Sequence, residues 1–255
     1  MTPFWFDMSD LWIGTFFYGI YLALFCICIY ILLRRPHNLG NIVLLVTAVV
    51  LFTLSTVLAV LNLILGSGEI DNLNIPFDHL EAAGNIIYGV NNIVADGLVI
   101  YRCYSIWEQN IYVVILPIIL LVLTSVFGVD LRLPSSPFFA LSFATNVLVT
   151  ALTAGRIWWL YRKAQVYLKA DVKHRYLSAI GITVESGVLY SATVLAYLIL
   201  GAIPGAEIVQ GPIFQMLTQV MGIAPTLIIV RVGLGVNVQT SSRDTSTDLE
   251  KGRSF

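Results

Sequence analysis

Charged residues are scarce: Lys, Arg, Asp and Glu make up 11% of the 255 residues, against about a quarter in a soluble domain. Hydrophobic residues reach 58%, so a water-soluble fold of this length would lack polar surface to cover itself. The net charge of −1 and the lack of any Lys/Arg stripe exclude a nucleic-acid partner. Cysteine is sparse too. Cys26, Cys28 and Cys103 all fall in apolar stretches, which excludes a disulfide framework and a cysteine zinc site. The three histidines, His37, His79 and His174, fall between apolar stretches and on opposite sides of a membrane, so no intramembrane metal site can be built on them. No Ser, His and Asp set is placed for nucleophilic catalysis, and the last apolar stretch has no lysine to hold retinal. The residues thus point away from an enzyme and call for no cofactor and no metal.

What the chain has in quantity is long apolar runs. A helix crossing a bilayer needs about 20 mostly apolar residues, and seven segments qualify: 11–33, 42–65, 82–106, 111–127, 138–160, 177–200 and 213–232. The first lacks a basic flank and is too long for a signal-peptide core, so it reads as a retained span. Pro117 sits in the fourth, the shortest, and Pro225 in the seventh; helices in lipid tolerate proline when neighbours satisfy the freed carbonyl. The fold class is therefore an all-α seven-helix transmembrane bundle, with a short outer N-terminus (1–10), a transmembrane domain (11–232) and a tail (233–255). The tail is rich in Ser, Thr and charge, too polar to fold alone, and is expected to be disordered. No internal repeat appears, so an inverted-repeat transporter gains no support.

Orientation follows from the basic residues. With the N-terminus outside, Arg34, Arg35, Arg102, Arg156, Arg162, Lys163, Lys169, Lys173, Arg175 and Arg231 lie at the inner side and Arg132 alone outside; Arg243, Lys251 and Arg253 belong to the tail. This asymmetry obeys the positive-inside rule and puts the C-terminus in the cytosol. The five tryptophans agree, with Trp5 and Trp12 at one boundary and Trp107, Trp158 and Trp159 at the other.

Ionisable groups inside spans are costly and for that reason mark candidate sites. Asp96 in the third span and Glu185 in the sixth lie roughly 15 and 12 Å from the inner boundary at about 1.5 Å per residue, so they could share one layer facing the core. Helical periodicity puts Asn85, Asn92, Asp96 and Cys103 on one stripe, Ser142, Asn146, Thr150 and Thr153 on a second, and Gln215, Gln219, Gly222 and Thr226 on a third. These amides and hydroxyls either form a polar interior site or serve only to hold helices together. Arg102, Arg156 and Arg231 each sit within about a turn of the inner boundary, where snorkelling to headgroups explains them; for Arg102 a cytoplasmic switch is the alternative.

Several strings are familiar: Asp96-Gly97, Tyr101-Arg102-Cys103-Tyr104 and Trp107, Gly155-Arg156-Ile157-Trp158-Trp159, Glu185-Ser186-Gly187, and Gly222-Ile223-Ala224-Pro225-Thr226 through Arg231-Val232-Gly233-Leu234-Gly235. Across the third to seventh spans the chain resembles an uncharacterised group of seven-span integral membrane proteins abundant in mushroom-forming (basidiomycete) fungi. The resemblance implies a fold but no activity, and the plan is similar to that of G-protein-coupled receptors without their Asp-Arg-Tyr or Asn-Pro-x-x-Tyr strings. The leading expectation is a receptor-like protein of the lipid bilayer, more naturally of the plasma membrane than an internal one. It would sense a small apolar or amphipathic ligand and meet a cytosolic partner at the basic loop 161–176. A small-molecule or proton-coupled transporter using Asp96 and Glu185 is the alternative, and a structural membrane protein a third. A tag at the N-terminus should be reached by impermeant reagents from outside and one after Phe255 should not; labelling of both from one side would refute the odd span count.

Overall fold

In the computed structural model the backbone is described for residues 4–34, 39–71, 77–129, 135–164 and 170–251. Side chains are described for 8–34, 39–66, 77, 79–128, 136–163, 180–206 and 209–231. The described residues form seven helices: α1 (Phe4–Leu33), α2 (Leu39–Asp71), α3 (Phe77–Ile106), α4 (Ile111–Val129), α5 (Ser135–Ala164), α6 (Ala170–Ala202) and α7 (Glu207–Lys251). Each apolar segment of the sequence lies inside one of them. The helices overrun the apolar runs at most ends, because a helix need not stop where hydrocarbon does. The backbone of α7 stays helical to Lys251, through much of the expected tail. The side chains there lie outside the described residues, as do most of those in the basic stretch 161–176, which is not the expected loop over its whole length: 161–164 end α5 and 170–176 begin α6.

Sequential helices pack side by side, α1 meets α7 to close the ring, and α3 and α7 also reach across it: α3 touches α2, α4, α5 and α7, while α7 touches α1, α2, α3 and α6. We call the end of the bundle where α1 begins the near end and the other the far end. Burial is inverted relative to a soluble protein. Asn91, Asn92, Thr124 and Ser142 are fully buried, whereas Val46, Val122, Val188 and Ile199 are more than half exposed along with many other large apolar side chains. Such a surface is stable only against hydrocarbon. Six helices, all but α3, are long and apolar enough to cross a membrane, and the molecule is a helical multi-pass membrane protein.

The position of α3 explains why it is the least apolar candidate. Its inner face carries Asn91, Asn92 and Asp96, all buried against its neighbours, while Ile86, Val90, Ile93, Gly97 and Tyr101 form an outward strip at helical spacing. In α7, 67% of the membrane-length stretch is buried, against 17% in α4. Small residues let the central helices approach. A β-carbon at Gly222 would stand 2.6 to 2.7 Å from the ring of the buried Tyr21, and Gly187 leaves room for Thr150. The near-end half of the core is aromatic, with Tyr88, Phe138, Phe139, Tyr197 and Phe214 in contact at centroid separations of 4.5 to 6.4 Å. Gly222→Ala should overpack the Tyr21 contact and cost about 1–3 kcal/mol. Gly19→Ala, where nothing lies within 4 Å, should leave the thermal midpoint in detergent unchanged or raise it through helix propensity; equal midpoints for the two variants would disprove the close α1–α7 contact.

Candidate functional site

The third helix brings Asn92 and Asp96 to the same inward face one turn apart, and the fifth presents Ser142 opposite them. Asn92 Nδ2 donates to Asp96 Oδ2 at 3.2 Å. Ser142 Oγ lies 3.2 Å from Asn92 Oδ1, 3.3 Å from Asp96 Oδ2 and 2.8 Å from the hydroxyl of Tyr190 on α6. Tyr190 in turn reaches Asn92 Oδ1 at 3.0 Å. One amide proton and two hydroxyl protons thus serve five contacts, so the four side chains act as one shared network across three helices. All four are buried, Asp96 to 4% exposure. A parallel but looser set joins Thr150 and Ser191 to Asn146 Oδ1, each at 3.4 Å.

Below this network, toward the far end, a cavity of about 50 Å³ opens between α3, α5, α6 and α7. Asp96, Asn146, Thr150 and Tyr190 border it, with Arg102, Thr153 and Ile228 farther toward the far end. Its volume suits a few waters or a small molecular fragment, since one water needs about 10–15 Å³ of such space. The aromatic cluster lies above it and separates it from the near end. A second cavity of about 90 Å³ lies at the near end between α1, α2 and α7, bordered by Asp10, Thr15, Asn62, Gln215 and Gln219. Among the described residues the two share no bordering residue. Here Asn62 Nδ2 donates to Gln215 Oε1 at 2.7 Å.

The sequence-derived candidates therefore divide. Asp96, Asn92, Asn146 and Thr150 come together on the far-end side, with Arg102 bordering the same cavity although it is rotated from Asp96 on the helix; its long side chain covers the difference. Gln215 and Gln219 belong to the near-end cavity instead. Two expectations are corrected. Asn85 is exposed rather than part of the buried stripe, because two turns into α3 an amide can still meet water or headgroups. Glu185 does not face the core beside Asp96. It is 62% exposed and forms a bidentate ion pair with Arg231 of α7. The pair cancels both charges at the bundle edge, which lets a carboxylate stand outside the core without an unmatched charge in lipid.

Sequence reading missed a third feature. Arg156, expected only to snorkel, lies 14% exposed with Glu108 Oε1 at 3.1 Å. Its guanidinium sits over the rings of Trp107 and Trp159 at 5.1 and 4.7 Å. Trp107 Nε1 donates to the Leu152 carbonyl at 3.3 Å. Together these contacts fix the α3–α4 turn to α5, and that turn holds Glu108 and Gln109 at φ of 54° and 66°, a region costly for residues with a β-carbon. The cluster Arg-Ile-Trp-Trp after a Trp-Glu pair was the available signal. Among the described residues no group of three His, Cys, Asp or Glu side chains could hold a metal, and all three cysteines are free thiols.

No family model matches the sequence, and no curated protein or solved structure matches it. The site is read from its own geometry. Ser142→Ala should leave Asp96, Asn92 and Tyr190 each short of a partner at a cost of about 1–3 kcal/mol. Ser125→Ala, whose hydroxyl only caps the Leu121 carbonyl within its own helix, should cost less; the ranking of thermal midpoints in detergent tests this, and a reversed order would show that the network contributes no stability.

Proposed function

We propose that the chain is a seven-span membrane protein with the near end outside and the far end cytosolic, acting as a receptor-like sensor of a small molecule rather than as an enzyme. The basic residues at the far end support the orientation, and the apolar outward strip of α3 supports counting it as the seventh span. The observation that carries the sensing reading is the arrangement of the two cavities along α7. Gln215 and Gln219 border the near-end one, Met221, Ala224, Pro225 and Ile228 border the far-end one, and none of the described residues borders both. A carrier works through one site that faces each side in turn. Two separate cavities along one central helix instead fit a ligand site outside and a responding site inside, with α7 between them.

The response would be a shift of α7 against α3 and α6, where Pro225 leaves one carbonyl of the helix without its intrahelical donor. The far-end cavity, bordered by Arg102, and the basic stretch 161–176, which spans the end of α5 and the start of α6, are the place for a cytosolic partner. The resemblance to the fungal seven-span group is consistent with this plan.

Proton-coupled transport keeps one supporting feature, the buried Asp96 beside a cavity, but loses Glu185 as a relay because of its pairing with Arg231. Proteoliposomes carrying the protein and a trapped pH dye separate the two readings. The sensor reading expects no protein-dependent proton flux, together with altered hydrogen exchange in the turn 107–110 when Gln219→Leu perturbs the near-end cavity. Proton flux that vanishes in Asp96→Asn, with exchange at 107–110 unmoved, would establish the carrier instead.

A further inference from the structure

The far end carries more positive charge than its carboxylates can cancel. From Arg156 to Arg175 the sequence holds six Lys and Arg against one carboxylate, Asp171, and Glu108 of the α3–α4 turn adds a second. The tail 233–255 brings three charged side chains of each sign. Positive charge is therefore in excess however these groups pair, and an anionic lipid surface attracts such an excess. It stands where the indoles of Trp158 and Trp159 are half exposed, the residue type that favours a headgroup boundary.

Trp159 carries two cations with different surroundings. The Arg156 guanidinium is mostly covered and paired to Glu108, on the side of the α3–α4 turn. The Lys163 ammonium is exposed and stands over the same indole at 5.0 Å, and among the described residues no carboxylate pairs with it. Lys163 is the outward cation of the cluster. Toward the near end, the same i, i+4 ridge of α5 continues from Trp159 to Gly155 and Ala151, both exposed. Nothing lies within 4 Å of a β-carbon built at Gly155. A notch thus opens outward beside the indole, with Gly155 and Ala151 about 6 and 12 Å farther along the helix than Trp159.

We propose that this face of α5 binds one anionic phospholipid, its phosphate against the Lys163 ammonium, its glycerol region beside the Trp159 indole and one acyl chain entering the notch at Gly155 and Ala151. Charge, amphipathic ring and apolar notch follow one another along the helix in the order in which phosphate, glycerol and hydrocarbon follow one another along a lipid. Phosphatidylcholine offers the same phosphate and chain, but its quaternary ammonium adds positive charge to a surface already in excess of it. An acidic protein segment would answer the charge and leave the notch unfilled.

This site goes beyond the receptor reading and does not depend on which end faces the cytosol, since a nanodisc presents the same lipids to both. Bromine on an acyl chain quenches an indole that it touches. Tryptophan fluorescence of the purified full chain is therefore compared in phosphatidylcholine nanodiscs doped with brominated phosphatidylglycerol or with brominated phosphatidylcholine. The relative affinity for the anionic lipid should be about fivefold higher, the weight of one basic residue beside an anionic surface. Lys163→Gln should abolish this preference and Lys163→Arg should keep it, while Arg175→Gln, which removes the same charge at the start of α6, should leave most of it. Trp159→Phe keeps a ring for both cations and should remove the excess quenching; Trp12→Phe should not. Gly155→Leu fills the notch without changing charge and should lower the preference severalfold, its thermal midpoint showing that it folds, and Ala151→Leu takes its place if it does not. Equal quenching by the two lipids, equal losses in Lys163→Gln and Arg175→Gln, or an excess that survives Trp159→Phe would overturn the site. So would an undiminished preference in the notch variant, which would point to an acidic partner held by charge alone.

Discussion

A helix in hydrocarbon satisfies its peptide groups within its own turns, and every polar side chain it carries must then be matched by a neighbouring helix. This bundle is organised by that requirement. The Asn92, Asp96, Ser142 and Tyr190 network ties α3 to α5 and α6; Asn91 donates to Ser55 Oγ at 3.2 Å and ties α3 to α2; Asn62 and Gln215 tie α2 to α7. Apolar contact gives little preference for one helix face over another when lipid is as apolar as leucine. The amides and hydroxyls therefore set which faces meet, and close-approach glycines such as Gly222 set how near they come.

Much of this was legible in the sequence because the signals are periodic. Runs of about 20 apolar residues located the helices, and intervals of four and seven placed Asn92 with Asp96 and Ser142 with Asn146 on inward faces. What periodicity cannot supply is how a helix face is rotated relative to its neighbours. Asp96 and Glu185 lie at similar depth, yet one is enclosed and the other turns outward to Arg231, and depth along a helix carries no information about that rotation. The separation of Gln215 and Gln219 from the Asp96 network has the same origin, since it depends on α7 passing between α1 and α3.

The far end was misjudged for a different reason. A lone arginine near a boundary is most cheaply explained by headgroups, whereas Arg156 lies between two indoles and a carboxylate brought close by the α3–α4 turn. That turn is defined by left-handed backbone at Glu108 and Gln109, which neither residue type announces. Sequence reading weighs each cation against solvent and lipid; it does not see aromatic faces that only the folded chain places together.

The burial of α7 bears on the order in which the molecule is assembled. The most enclosed of the six membrane-length helices is also the last helix in chain order, and its partners include α1, about 200 residues earlier. Until α7 is inserted, the parts of α1, α2 and α3 that meet α7 have no helix against them, with Tyr21 lacking the Gly222 contact and Asn62 lacking its amide partner. Closing the ring thus requires a contact of high sequence separation that forms only once the chain is nearly complete, and local contacts between sequential helices cannot substitute for it. A chain halted before its seventh helix would display an unmatched polar groove to the bilayer, a feature by which a membrane quality-control system could tell a partial molecule from a finished one.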